Sequence, residues 1–250
     1  MFKLSVVAIV QVTIIAIVAA IAAAVGPPDL WNNHENGDSK PLTSGVNYHA
    51  SLFPLAITVR PTDGLWEGAQ YLRTSGIHEG EQRKGRKVAF ISLLHKYAHN
   101  AQGKISNWGR GTITLEAGFT RGGSVQATMG RLRARPDDFQ TVSDVTPVHI
   151  AGFNGLSYDG RLKNGAGSFH RFVPFSSSDG SVPTTDSRKL EANYGKGEAF
   201  RIIVLNVRGT VVAIYLDSET APADKFPLFL GFANRLLSTV CVSDRRDRCA

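Results

Sequence analysis

The sequence predicts an α+β domain: a mostly antiparallel, twisted sheet of about six to seven strands sandwiched by helices, preceded by one N-terminal apolar helix. Three observations carry that expectation. From Leu52 onward, short apolar runs rich in β-branched residues alternate with Gly-containing turns, the pattern of an antiparallel sheet. Two later segments, after Ser124 and after Ala223, instead repeat apolar residues at three- and four-residue spacing, the period of a helix face. Residues 1–25 stand apart from both, with one charge, Lys3, and an uncharged run from Leu4 to Val25 closed by Gly26-Pro27-Pro28.

That first run is long enough to span a bilayer core of about 30 Å as a helix. Ala22-Ala23-Ala24 also offers the small residues of a signal cleavage site, so both a signal anchor and a cleaved signal peptide fit. Lys3 precedes the run, while the next charges after it, Asp29, Glu35 and Asp38, are acidic. This asymmetry keeps the N-terminus inside and exports the rest. The expected localisation is a single N-terminal membrane helix with the C-terminal domain outside the cytoplasm, or secretion if the leader is cleaved.

Residues 26–51, rich in Pro, Asn, Gly, Ser and His, read as a flexible tether without a core of its own. Residues 52–243 read as a single domain, and residues 244–250 as a tail. Ala56 to Arg60 is the first expected strand, stopped by Pro61-Thr62-Asp63-Gly64. Val88 to Leu94 and Gly111 to Glu116 are the next two, separated from the first by a charged segment, 75–87, expected as an exposed loop. Ser124 suits the N-cap of a helix with Val125, Met129 and Leu132 on its inner face and Arg131 and Arg135 outside. Thr141 to Ile150 and Leu156 to Leu162 form a hairpin around Ala151 to Gly155, and 176–190 is a loop.

Phe200 to Val207 and Thr210 to Tyr215 flank Arg208-Gly209 and predict a second hairpin. It is apolar at nearly every position, so it should lie centrally with both faces covered. A last helix, from Ala223 to about Val240, presents Phe226, Phe229, Leu230, Ala233, Leu236, Leu237 and Val240 as one stripe. Cys241 and Cys249 are the two cysteines of the chain, and in an oxidising compartment they close a small disulfide loop in the tail.

In order, Pro61 to Trp66, the Gly152 to Tyr158 hairpin, the pair Phe200 to Val207 and Thr210 to Tyr215, and the helix Ala223 to Ser238 resemble a family of bacterial exported domains. That family has the fold of the photosystem II extrinsic protein PsbP and of a Ran-binding import factor. The resemblance implies a PsbP-like sheet between helical layers, in a domain type that binds or assists and seldom catalyses. It carries no functional residue over to this chain.

The formal net charge is +7, and Lys3 in the leader accounts for one unit, so the exported body keeps +6. Eight basic residues lie between Arg73 and Arg110, and Arg121, Arg131, Arg133 and Arg135 follow. Such a bias can attract anionic polymers or lipid headgroups, and it can equally serve solubility. Arg121-Gly122-Gly123-Ser124 before a helix, with Arg131 and Arg135, is the anion-binding candidate, although no Gly-Lys-Ser/Thr completes a P-loop. His95 and His99 have the spacing of two ligands on one helix or strand face, the metal candidate, but Lys96 stands where a zinc hydrolase needs glutamate. Gly155-Leu156-Ser157-Tyr158-Asp159 begins like a nucleophile elbow but lies in a hairpin and ends in Asp.

No catalytic residue and no cofactor is expected. The chain reads as an extracytoplasmic binding or accessory domain of the cell envelope, its partner an envelope protein or an anionic polymer, with nucleic acid not expected. Two other readings fit the same residues. One is a basic-surface module for anionic wall polymers, lipid headgroups or nucleic acid. The other is an exported hydrolase built around His95, His99, His149 or His170.

Overall fold

Val207 and Thr210 face each other across Arg208-Gly209, and both turn residues have positive φ, 52° and 84°. This is the two-residue turn whose twist matches that of paired strands. It joins β11 (Ala199–Val207) to β12 (Thr210–Asp217), each buried at nearly every position. In a computed structural model describing residues 27–32, 39–75, 86–99, 108–117, 124–133, 139–162, 199–218 and 223–243, this hairpin occupies the middle of the main sheet.

The other strands, in chain order, are β1 (Trp31–Asn32), β2 (Lys40–Pro41), β3 (Tyr48–His49), β4 (Ala56–Val59), β5 (Trp66–Ser75), β6 (Arg86–His99) and β7 (Trp108–Ala117). After them come β8 (Phe139–Val142), β9 (Thr146–Ile150), β10 (Phe153–Leu162) and, last in the chain, β13 (Cys241–Ser243). The main sheet has ten strands in the order β1-β5-β6-β7-β12-β11-β10-β8, with β2 also on β5 and β9 also on β10. All its pairings are antiparallel except β1 on β5. A second sheet, β13-β4-β3, has three strands. The fold is therefore α+β, and the expected six to seven strands are corrected upward. The excess comes from β5, whose alternation is broken by Glu67, Gly68 and Gln70, and from short strands such as β1 and β2, which are too brief to show a periodicity.

Alternation on β11 and β12 sends Phe200, Ile202, Val204, Val211 and Ala213 to one face, where α1 (Val125–Arg133) covers them with Val125, Met129 and Leu132. Ile203, Leu205, Val212, Ile214 and Leu216 go to the other, covered by α2 (Phe226–Leu237) and packed with Ile57 of the small sheet. Ser124 caps α1, its Oγ accepting from Ala127 N–H at 3.0 Å. In α2, Pro227 lies in the first turn, where its missing N–H breaks no bond, and Phe226, Phe229, Ala233, Leu236 and Leu237 are buried. Phe229 lies directly over Gly111 of β7, where an added Cβ would approach its ring carbons to 2.5–2.7 Å.

The reading of 26–51 as a tether is corrected for its described part. Leu30 and Leu42 are buried in the core, over Gly68 of β5, where a Cβ would come within 2.8 Å of Leu42 and 3.0 Å of Leu30. Two isolated leucines in a polar stretch have no period, so only the receiving surface reveals them. Gln70 of β5, itself buried, ties this segment down: its amide nitrogen donates to Leu30 O at 2.9 Å and Ser51 Oγ at 3.1 Å, and its oxygen accepts from Leu52 N–H at 2.8 Å. Gln70→Ala leaves a buried carbonyl and an amide unmatched and lowers the unfolding free energy by about 2 kcal/mol. Urea titration of the full chain checks this.

The segment 75–87 is corrected at its ends. Ser75 pairs with Arg86 and Thr74 with Lys87, extending the β5–β6 ladder, while residues 76–85 lie outside the described residues. Phe153 to Gly155 belong to β10, and the turn narrows to Ala151-Gly152, again with positive φ. The leader, the loop 176–190 and the tail from residue 244 lie outside the described residues.

Candidate functional site

The loop between β4 and β5 carries Asp63, and its Oδ1 accepts the Leu65 N–H at 2.9 Å, an Asx turn that fixes the carboxylate just before β5 begins. His95 sits on β6, paired in register with Trp66 of β5 and Gly111 of β7. Its Nε2 lies 3.1 Å from both Asp63 oxygens. Its ring is stacked on Phe232 of α2 at a centroid distance of 4.3 Å and tilted against Trp66 at 4.6 Å. The side chain is wholly inaccessible to solvent.

Burial pushes the His95 pKa below its ordinary value, and Arg235 of α2 adds to that, while the Asp63 hydrogen bond and charge oppose it. His95 is therefore neutral at pH 7, with Nε2–H donating to Asp63 and Nδ1 left as acceptor. Nδ1 and the Trp66 Nε1 have no hydrogen-bond partner among the described residues. The cluster joins four elements: the Asp63 loop, β5, β6 and α2. The C-terminal end of α2 is held to the same region, since Thr239 Oγ1 donates to Arg60 O at 2.9 Å and accepts from Arg60 N–H at 3.2 Å.

Chemically the pair can orient and hold, but a ring with no exposed atom cannot pass a proton to a substrate in solution. His99 pairs with Trp108 at the end of β6, but a register shift between Lys96 and Ala98 interrupts the alternation on which a common face for His95 and His99 depended. His95 presents Nε2 to a carboxylate, as a metal-bound histidine often does with its outer nitrogen. No group of three or more His, Cys, Asp or Glu suited to a metal ion occurs among the described residues.

Of the anion candidate, Ser124 is engaged as the N-cap, Arg131 lies within α1, and Arg121, Gly122, Gly123 and Arg135 lie outside the described residues. Cys241 begins β13, in register with Thr58 of β4, and Cys249 lies outside the described residues. Of the histidines named for hydrolysis, His149 is exposed on β9 with its Nδ1 2.8 Å from Asn154 Oδ1. Five strand spacings separate β9 from β6, about 24 Å along the sheet, so His149 and His95 do not converge. His170 lies outside the described residues. Trp66 is a buried core residue.

The sequence left unread the pairing of His95 with Asp63, 32 residues away. It also left unread the ion pair of Lys96 with Glu67, at 2.6 Å. Burial alone would raise the Glu67 pKa, but hydrogen bonds from Lys96 and Ser39 and the charges of Lys96 and Arg110 bring it below the ordinary value. Lys96, one of the eight basic residues, is thus already matched by a carboxylate. A cavity among Ile57, Leu115, Phe153, Leu205, Leu237 and Val242 is wholly apolar and encloses about 20 Å³, far below a small-molecule site.

No family model matches the chain, and no curated protein matches it. Among solved structures, the Pseudomonas aeruginosa protein PA94, of unknown function, aligns over 67% of this chain and 94% of its own, with 11% identity and a TM-score of 0.36. That likeness is too distant to carry an argument.

Proposed function

We propose that the chain is a non-catalytic, extracytoplasmic binding or accessory domain of the cell envelope, held at the membrane by residues 1–25. The observation that supports it best is the use made of His95. This histidine with a carboxylate partner, the arrangement a catalytic base would need, is enclosed between Trp66 and Phe232, and among the described residues it ties α2 and the Asp63 loop to the sheet. The finer fold we propose is PsbP-like, on the basis of an antiparallel sheet with α1 on one face and α2 on the other. Cys241 and Cys249 are proposed to close the tail, and the partner is an envelope protein or an anionic polymer.

The test is thermal unfolding of the full chain in detergent with wall polymers, anionic lipid, nucleotides, and zinc with and without chelator, each at two salt concentrations. A ligand at about 100 times its Kd adds about 2.7 kcal/mol, a rise of about 2–4 °C for a domain of this size. Stabilisation by a compound recovered chemically unchanged is the expected result. Conversion of that compound to a product overturns the reading. Absence of any shift directs the search to protein partners crosslinked in the membrane.

A further inference from the structure

Pro28 O accepts the His49 N–H at 2.9 Å, and Leu30 N–H donates to His49 O at 2.7 Å. Pro28 is therefore already part of the folded body, and only Gly26 and Pro27 separate it from the end of the apolar run at Val25. Three residue steps span at most about 11 Å of extended chain. A body of this size has a radius of gyration of about 17 Å, so it cannot stand away from a membrane that holds residue 25 or turn freely above it.

Next to the entry point, on β1 and β2 at the edge of the sheet, lie Trp31 and Lys40. Trp31 is 42% exposed, an unusual state for a tryptophan, and Lys40 Nζ sits 3.2 Å from the centre of its ring. Tryptophan and lysine are the residues that settle at a membrane interface, the indole at headgroup level and the ammonium among phosphates. We infer that the sheet edge bearing Trp31 and Lys40 lies flat on the lipid surface, with Trp31 among the headgroups and Lys40 on anionic lipid. The inference rests on the retained-anchor reading of residues 1–25. The anchor supplies the affinity, because it holds the edge at high effective concentration, and Trp31 and Lys40 set the orientation.

The test uses the full chain reconstituted into phosphatidylcholine and phosphatidylglycerol vesicles containing headgroup-spin-labelled lipid. In a Trp108→Phe background, which leaves Trp31 and Trp66 as the tryptophans, emission is expected to be quenched, the quenching to disappear on adding Trp31→Phe, and to weaken when a long Gly-Ser linker is inserted after Gly26. Trp66, fully buried in the core, reports that each variant remains folded. Quenching that is unchanged in Trp31→Phe, from protein that resists carbonate extraction, overturns the orientation alone. Release of the protein by carbonate overturns the anchor reading and this inference with it.

Discussion

Phe229→Ala lowers the unfolding free energy of the chain by about 4 kcal/mol. Phe229 is fully buried where α2 meets the sheet, against Tyr97 of β6 at a ring distance of 5.2 Å and Phe226 of its own helix at 6.1 Å. Gly111→Ala is expected to cost about 2 kcal/mol, because its Cβ would drive into the Phe229 ring, and a ring packed on every side cannot step aside. The two changes are coupled. In the Phe229→Ala background the space above residue 111 is empty, so Gly111→Ala should cost almost nothing there, a departure from additivity of about 2 kcal/mol. Urea unfolding of the wild type, both single variants and the double variant measures it. Additive costs would mean that α2 does not rest on Gly111.

Asp63→Ala is expected to cost about 2.5 kcal/mol, while His95→Phe costs almost nothing. The first strands a buried Nε2–H with no acceptor. The second removes that donor and the unpartnered Nδ1 while keeping a flat ring between Trp66 and Phe232, and Asp63, 31% exposed at its side chain, returns to water. The pH dependence provides an independent reading of the same pair. His95 has its pKa lowered from 6.5 in the fold, so below pH 6.5 the unfolded chain takes up a proton that the folded chain refuses. Stability is therefore complete above pH 6.5, falls as the pH drops below it, and levels off once the folded-state pKa is passed. Glu67, with its pKa lowered from 4.5, contributes its own loss only below about pH 4.5, so the two losses begin at different pH. His95→Phe should abolish the upper step and leave the lower one. An upper step that survives in His95→Phe would assign it to another group.

Legibility in the sequence followed the strength of local signals. The β11–β12 hairpin was readable because β-branched residues fill both sides of Arg208-Gly209, and a two-residue turn sets its register to Val207 opposite Thr210. α2 was readable from its apolar stripe, and α1 from Ser124 and the spacing of Val125, Met129 and Leu132. The strand β5 was not, because Glu67, Gly68 and Gln70 break the alternation. Each of them is explained by a neighbour distant in sequence: Glu67 pairs with Lys96, Gly68 admits Leu30 and Leu42, and Gln70 holds Leu30, Ser51 and Leu52. β13 was missed for a similar reason, since three residues after a helix pair with β4 at the other end of the domain.

Residue types and their periods thus determined, without any coordinates, an α+β body with a central buried hairpin and two covering helices, because these are local preferences summed over neighbouring residues. Tertiary structure alone decided what the histidines do and where the tether ends. His95 met Asp63 because a turn delivered a carboxylate to its ring. Leu30 and Leu42 left solvent because Gly68 opened a surface to receive them. Both outcomes depend on contacts between residues far apart in the chain, and the free energy of burying or pairing a group belongs to the surface it meets, which no local period encodes.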